Sequence, residues 1–406
     1  MADNNNNKIL NVPPLRFPEF TDEWEKQKLS DFVERVTRKN KNNESKLPLT
    51  ISAQYGLVDQ ITFFNKVIAS NDISGYYLLK KGEFAYNKSY SGDYTWGAVK
   101  RLDRYEQGAL STLYICFSPL ECVISDYLVH YFETKKWHRE VSEIAVEGAR
   151  NHGLLNIGVA DYFNTKHFLP SKKEQKKIAA FLNLIEKRIA LQTKIIEDLK
   201  KLKSAIIEKL IFGNKDLEEK ISIGQIATLK NGYAFKSNSY SIGGKYKIIT
   251  ISNVTGDKYI DTSDCNTVEQ LPDDIQEHQV IKENSILISM TGNVGRVSLS
   301  KIGNNLLNQR VGLLQLNEGI FTEYIYQVLS TKHFEQSMIG CGQGAAQLNI
   351  SKYDIESYII PYSSNIGVIE KVGSILCDFD QKIFVETNIL EKLQAQKNYL
   401  LQQMFI

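Results

Sequence analysis

Residues Pro170–Gly213 read PSKKEQKKIAAFLNLIEKRIALQTKIIEDLKKLKSAIIEKLIFG. Apolar side chains stand at Ile178, Leu182, Ile185, Ile189, Ile196, Leu199, Leu202, Ile206 and Leu210. Steps of three and four sustained over this length predict one unbroken amphipathic helix. Ser171 and Glu174 have capping-box spacing, and Gly213-Asn214 supplies a stop. About forty residues rising 1.5 Å each make a rod of roughly 60 Å. So narrow a stripe on so long a rod needs a second helix to cover it.

The end of the chain supplies one. Displacing the stretch by 194 positions lays Ile178 on Val372, Leu182 on Leu376, Ile185 on Phe379, Ile189 on Ile383 and Leu199 on Leu393. A polar break in the stripe recurs as Gln192 and Glu386. Upstream, Leu155-Asn156-Ile157 and Leu348-Asn349-Ile350 each precede an aspartate (Asp161, Asp354) and then a proline (Pro170, Pro361). Lys28 to Phe32 likewise lies 194 positions before Ser222 to Ile226. The chain is two copies of one unit, each a globular domain followed by a long helix. The expected boundaries are an arm and first domain over 1–170, a spacer helix over 171–215, a second domain over 216–361 and a second helix over 362–406.

Composition agrees with two ordinary domains. The 406 residues are 42% hydrophobic and 24% charged, as in a soluble globular protein, and no apolar run reaches membrane-spanning length. The start, Met-Ala-Asp-Asn-Asn-Asn-Asn-Lys, reads as a loose tail and not a signal peptide. Five scattered cysteines suit buried structural thiols in a reducing, cytoplasmic setting. The formal net charge is +2, but Ser171–Lys215 holds twelve basic and five acidic residues, a net of +7 that leaves −5 elsewhere. The middle helix is therefore a basic strut, and an acidic partner or DNA is the sharper reading of that charge.

Between arm and strut the pattern is β-rich and short, with Gly, Asn and Asp at the turns. Pro13 to Phe20 is stiff, aromatic and extended. Helix is expected over Ser125–Glu140 and Phe321–Phe334, and a strand over Ile248–Val254. The second domain repeats the programme of the first with different loops. The sequence contains no GxxxxGK[ST] phosphate loop, no H-E-x-x-H and no spaced histidine cluster. Gly342-Gln343-Gly344 lacks the third glycine of a dinucleotide fingerprint. The only Pro-Pro, at Pro13-Pro14, lacks the flanks of an adenine-methyltransferase turn. No reaction of its own is expected.

Equivalent helices packed antiparallel are related by a two-fold axis, which would hold the two domains at opposite ends of the rod. B-DNA has the same dyad, and about 60 Å spans one to two turns of about 34 Å. The expected target is two unlike half-sites with a fixed gap. The arm Pro13-Pro14-Leu15-Arg16-Phe17-Pro18-Glu19-Phe20 with Glu23-Trp24, the doubled Leu-Asn-Ile signal and the paired helices resemble the specificity subunit of a type I restriction–modification enzyme over essentially the whole chain. The resemblance implies an α+β fold with two similar target-recognition domains separated by a long antiparallel two-helix coiled coil. It also implies double-stranded DNA and two copies of a modification subunit as partners, with restriction subunits in the full complex. S-adenosylmethionine for adenine methylation, and ATP and Mg for restriction, would belong to those partners, and no cofactor or metal is expected here. The end at Ile406, directly after the second helix, departs from the family in leaving little room for a further tail.

That resemblance assigns reading to the loops without naming readers, so candidates follow from chemistry: side chains on loops after strands that can bond phosphates or base edges. In the first domain these are Arg38, Lys39, Lys88, Ser89, Tyr90, Lys100, Arg101, Arg104, Arg150 and Asn151. In the second they are Lys230, Tyr233, Lys236, Asn293, Arg296, Gln309, Arg310, Gln343 and Gln347. Asn156 and Asn349 are given to turn structure, and the helix ends and the Pro13–Phe20 arm to docking of modification subunits. The rival reading is a coiled-coil scaffold that holds two protein partners and never meets nucleic acid.

Overall fold

The computed structural model describes residues 10–52, 54–65, 72–89, 94–145, 155–342 and 348–406. Unit 1 consists of residues 1–192 and 389–406, and unit 2 of residues 193–388, so the division falls inside two long helices.

Unit 1 contains the strands β1 (Glu25–Lys28), β2 (Val33–Arg35), β3 (Pro48–Ser52), β4 (Gly56–Asp59), β5 (Tyr77–Lys80), β6 (Phe84–Asn87), β7 (Ala98–Arg101), β8 (Gln107–Leu110), β9 (Ile115–Pro119) and β10 (Lys166–Leu169). They form sheets in the orders β1-β10, β2-β9-β6-β7 and β4-β3-β8-β5. Its helices are α1 (Leu29–Phe32), α2 (Gln60–Phe64), α3 (Ser125–Phe132), α4 (His138–Ile144), α5 (Val159–Asn164) and the first part of α6 (Lys172–Ile207). Unit 2 contains β11 (Glu219–Ser222), β12 (Ala227–Asn231), β13 (Tyr246–Ile249), β14 (Thr267–Val268), β15 (Val280–Ile281), β16 (Ile286–Ser289), β17 (Val297–Leu299), β18 (Asn305–Leu307), β19 (Val311–Leu316) and β20 (Ile359–Tyr362). Their orders are β11-β20, β12-β19-β16-β17 and β14-β13-β18-β15. Each strand maps onto the one ten places later, and the parallel pairing of β3 with β8 recurs as β13 with β18. The expected duplication holds to the level of strand order.

Alternation along the central strands explains the layers. Successive side chains of a strand face opposite sides. Phe84 and Tyr86 of β6 join α3, α5 and α6 in one core, whereas Ala85 faces the second sheet. In unit 2, Ile286 and Ile288 of β16 pack toward the helices and Leu287 toward the second sheet. Each central sheet is thus covered on both faces, which is why Phe84–Tyr86 and Ile286–Ile288 are three successive apolar residues.

The helices of unit 2 are α7 (Ile223–Ile226), α8 (Thr322–Leu329), α9 (Lys332–Cys341), α10 (Lys352–Glu356) and the first part of α11 (Ile366–Gln403). In unit 1, Ile178 and Leu182 from the start of α6 share a core with Leu401 and Phe405 at the end of the chain. In unit 2, Ile207 and Ile211 from the end of the α6 segment share a core with Val372 and Leu376 near the start of α11. A displacement of 194 carries the first four residues onto Val372, Leu376, Ile207 and Ile211 when the two helices are exchanged. Ion pairs follow the same rule: Lys397–Glu186 at 2.7 Å in unit 1 and Lys203–Asp380 at 2.5 Å in unit 2. Each unit therefore holds an antiparallel helix pair. Leu182 and Leu376 are fully buried, which stabilises each pair by about 1.5–3 kcal/mol per side chain.

Four local expectations need correction. The seam passes through Lys203 rather than Leu202, which is 49% exposed, because Asp380 neutralises the ammonium there. Glu174 completes only half of the capping box: its amide lies 3.4 Å from Ser171 Oγ, but its carboxylate accepts from Arg16 and Trp24. The helices expected over 125–140 and 321–334 are each two helices, the second break made by Thr331, whose hydroxyl caps α9 by accepting from the Phe334 amide. Among the cysteines only Cys116 is buried, while Cys122 and Cys341 are exposed.

Both buried histidines among the described residues belong to unit 1. His167 is held between the Tyr131 hydroxyl at 2.7 Å and the Thr165 hydroxyl at 2.8 Å. Burial pushes its pKa down to about 3, from 6.5, and burial likewise lowers His130. A depressed base favours folding fully above its unfolded pKa and loses that contribution as pH falls from about 6.5 toward 3. Acid titration is expected to unfold unit 1 before unit 2, where Ile360 occupies the strand position of His167. All three tryptophans (Trp24, Trp96, Trp137) lie in unit 1, so their emission should change at higher pH than the hydrogen-exchange protection of residues 193–388.

Candidate nucleic-acid interface

Strand direction gathers a set of loops at one edge of each unit. In unit 2, β12 ends at Asn231 opposite Gly312, and β16 ends at Ser289 opposite Val311. Beside them β13 and β18 run parallel and end together at Ile249 and Leu307. The turn Asn308-Gln309-Arg310 is therefore ringed by three strand ends. Backbone bonds lock it there. The Tyr233 amide donates to the Leu307 carbonyl at 2.7 Å, Gln309 to Tyr233 at 3.0 Å, Asn308 to Ile249 at 3.1 Å and Met290 to Arg310 at 3.1 Å. Gly232 makes the approach possible, since a Cβ there would stand 2.2 Å from the Asn308 carbonyl oxygen. The Leu348–Ile350 segment joins through Gly292 to Leu348 at 2.9 Å and Ile350 to Met290 at 3.0 Å. Asn349 Oδ1 accepts from the Thr291 hydroxyl at 3.0 Å, a structural bond to the neighbouring loop.

Side chains at this edge are polar. Gln309, Arg310, Asn293 and Lys236 are exposed, and Lys230 is half-buried on β12. Tyr233 donates its hydroxyl to Asp274 at 2.7 Å, and that bond raises the phenol pKa. Arg296 stands 3.9 Å from Glu335 on α9, turned partly away from the edge. Gln343 and Gln347 lie outside the described residues.

In unit 1 the same edge carries Lys88 and Ser89, both half-buried, with the Lys88 carbonyl accepting from the Leu155 amide at 2.7 Å. Lys39 is near it, bonded to the Gly75 carbonyl at 2.8 Å and lying 4.5 Å over the Tyr77 ring. Other candidates are occupied elsewhere. Arg38 grips both oxygens of Glu83, at 2.9 and 2.8 Å. Lys100 pairs with Glu133 at 2.5 Å, and Arg101 with Asp103 and Asp126 at 2.7 Å each. These three side chains are turned into their own unit: α3 and its C-cap present Asp126 to Arg101 and Glu133 to Lys100, and the turn before β6 presents Glu83 to Arg38. Arg104 is exposed in the turn between β7 and β8, at the opposite end of the strands. Tyr90, Arg150 and Asn151 lie outside the described residues.

One turn at the unit 1 edge was not among the sequence candidates. Ser111–Tyr114 joins β8 to β9 as Asn308–Val311 joins β18 to β19, 197 positions later. The Tyr114 amide donates to the Ser111 carbonyl at 3.2 Å, as Val311 does to Asn308 at 2.9 Å. The Leu113 amide is 3.4 Å from Ser111 Oγ, as the Arg310 amide is 3.3 Å from Asn308 Oδ1. The internal displacement, applied turn by turn, was the signal that could have found it. Among the described residues no cluster of histidine, cysteine and carboxylate side chains could hold a metal, and no helix is long and apolar enough to cross a membrane.

Comparison with known proteins bears on this arrangement. The family described as type I restriction modification DNA specificity domain matches residues 214–395. The S subunit of a type I restriction-modification system from M. genitalium has a similar fold, with a TM-score of 0.60 at 16% identity over 97% of this chain and 99% of that one. A chain from a structure concerning complex assembly and conformational transition of the type I R-M system gives a TM-score of 0.57 at 13% identity, over 97% and 99% of the two chains. Residues 214–395, a little under half of the chain, thus match the type I restriction modification DNA specificity domain, and nearly the whole length shares the fold of an S subunit of such a system.

Proposed function

We propose that this chain is the DNA-reading, non-catalytic subunit of a type I restriction–modification complex. Each unit reads one half of a bipartite, asymmetric site, and the long helices set the gap between the halves. Two copies of a modification subunit, docked on the helix ends and the Pro13–Phe20 arm, bring S-adenosylmethionine and methylate adenine. Restriction subunits bring ATP-driven cleavage. The observation that carries this reading is one strand topology written twice, with unlike side chains on the same edge loops. A similar fold in a protein described in connection with type I complex assembly supports the partners.

The test is a gel shift of the chain with its modification subunits on a target duplex identified by methylation-aware sequencing. Salt-sensitive, sequence-dependent binding is expected; binding insensitive to both would leave the scaffold reading. Gln309→Ala and Arg310→Ala should each relax selectivity at one half-site by about 1–3 kcal/mol and leave the other half unchanged. Deleting residues 187–193 together with 381–387 removes one heptad from each helix and nearly preserves its faces. Seven residues at 1.5 Å correspond to about three base pairs, so the gap should shorten by about three while both half-sites persist.

A further inference from the structure

We infer that the β8–β9 turn of unit 1, Ser111–Tyr114, is a reading element that recognises the 5-methyl group of thymine through Leu113, whereas unit 2 reads base edges by hydrogen bonds at the same place. The inference rests on the DNA-reading role proposed above. Leu113 occupies the position of Arg310 by three independent registers: the flanking strands, the amide bond that closes the turn and the side-chain bond at its third residue. Thr112 correspondingly stands where Gln309 stands.

A single exposed leucine is ordinary on a protein surface. This one is 67% exposed at the tip of a tight turn, beside the end of β6 as Arg310 is beside that of β16. Tyr114 in the same turn adds a half-buried aromatic ring. Tyr114 is tied back to Thr50 on β3 at 3.4 Å between hydroxyls, which fixes the turn without using Leu113. The edge of unit 1 thus offers methyl and aromatic surface where unit 2 offers an amide and a guanidinium. In the major groove the thymine methyl is the one apolar feature that a base pair presents, and small apolar side chains recognise it by contact. Arg and Gln at the equivalent turn suit guanine and adenine edges.

The experiment uses the complex with modification subunits and the target duplex, with thymine replaced by deoxyuridine in one half-site at a time. Removing a contacted methyl should weaken binding about fourfold per thymine. The loss should be confined to the half-site whose selectivity survives Arg310→Ala, and it should vanish in Leu113→Ala, whose truncated side chain is outside every core. Circular dichroism of the variant checks that it folds. Sequence-selective binding that ignores deoxyuridine in both halves, or a unit 1 half-site without A·T pairs, would overturn this inference and leave the proposed function standing. Loss of all sequence selectivity in the unaltered complex would overturn the proposed function itself.

Discussion

Asp380→Ala is expected to destabilise unit 2 by about 3–5 kcal/mol, the cost of stranding buried charge. Asp380 is 9% exposed and joins three elements. Its Oδ1 accepts from Lys203 at 2.5 Å, its Oδ2 accepts from Gln327 Nε2 at 2.6 Å, and Lys258 lies 3.6 Å away. Lys203 and Lys258 are each only 14% exposed. Burial opposes the charge on Lys258, but its hydrogen bond to Glu323 and the two carboxylates outweigh it and raise its pKa. Without Asp380, Lys203 loses its partner in the seam and Gln327, fully buried on α8, keeps only Glu323. The variant should lose hydrogen-exchange protection across residues 193–388. The equivalent substitution, Glu186→Ala, is a control built into the repeat. Glu186 is 38% exposed where it meets Lys397, so its loss should cost no more than about 1 kcal/mol. Equal effects in both units would mean that the seam charge contributes little and apolar packing alone holds the helices.

Glu174→Ala is expected to have a comparable effect on unit 1, about 3–5 kcal/mol. Glu174 is 1% exposed, and Arg16 grips both its oxygens at 2.7 and 2.8 Å. Trp24 adds its ring nitrogen at 3.3 Å. The bond to Glu174 raises the Arg16 pKa. This carboxylate is the anchor of the extended arm. Around it, Phe17 packs edge-on to Phe181 at 5.8 Å, Lys177 covers Phe17 and pairs with Glu19, and the Leu15 amide donates to the Gln403 carbonyl at 3.0 Å. The arm thereby touches the beginning of α6 and the end of α11. Tryptophan emission during urea unfolding should report the loss, and limited proteolysis should begin to cut between residues 10 and 23. Arg16→Ala should reproduce the phenotype. A variant with normal urea stability and an uncut arm would show that the aromatic contacts suffice.

These two residues also mark how far the sequence could be read. Glu174 has the spacing of a capping residue, and that local pattern predicts a bond to the helix's own start. A residue 158 positions away claimed the carboxylate instead, because a bidentate guanidinium is the stronger partner. Asp380 has no local signature at all. Its importance comes from two lysines and a glutamine that meet only when α8, α11, the α6 segment and the loop carrying Lys258 pack. The same limit governs the candidate readers. Arg38, Lys100 and Arg101 look like free cations in the sequence, yet each is spent on a carboxylate of its own unit. Gln309 and Arg310 could be singled out because they sit in a polar turn between two apolar strands, and both are exposed there. Thr112 and Leu113 could not, because neither side chain carries a charge or an amide.

The sequence by itself determined the duplication, the two long helices, their antiparallel pairing and the β-rich lobes, since heptad periodicity and strand alternation are local and survive displacement by a constant number. Only the tertiary structure decided which charges are neutralised inside and which loops share an edge. Strand pairing brings together residues tens of positions apart, and loop insertions move the displacement from 194 to 197 along the way. That drift hides the equivalence of Leu113 and Arg310 from any single alignment and reveals it once hydrogen bonds fix the register.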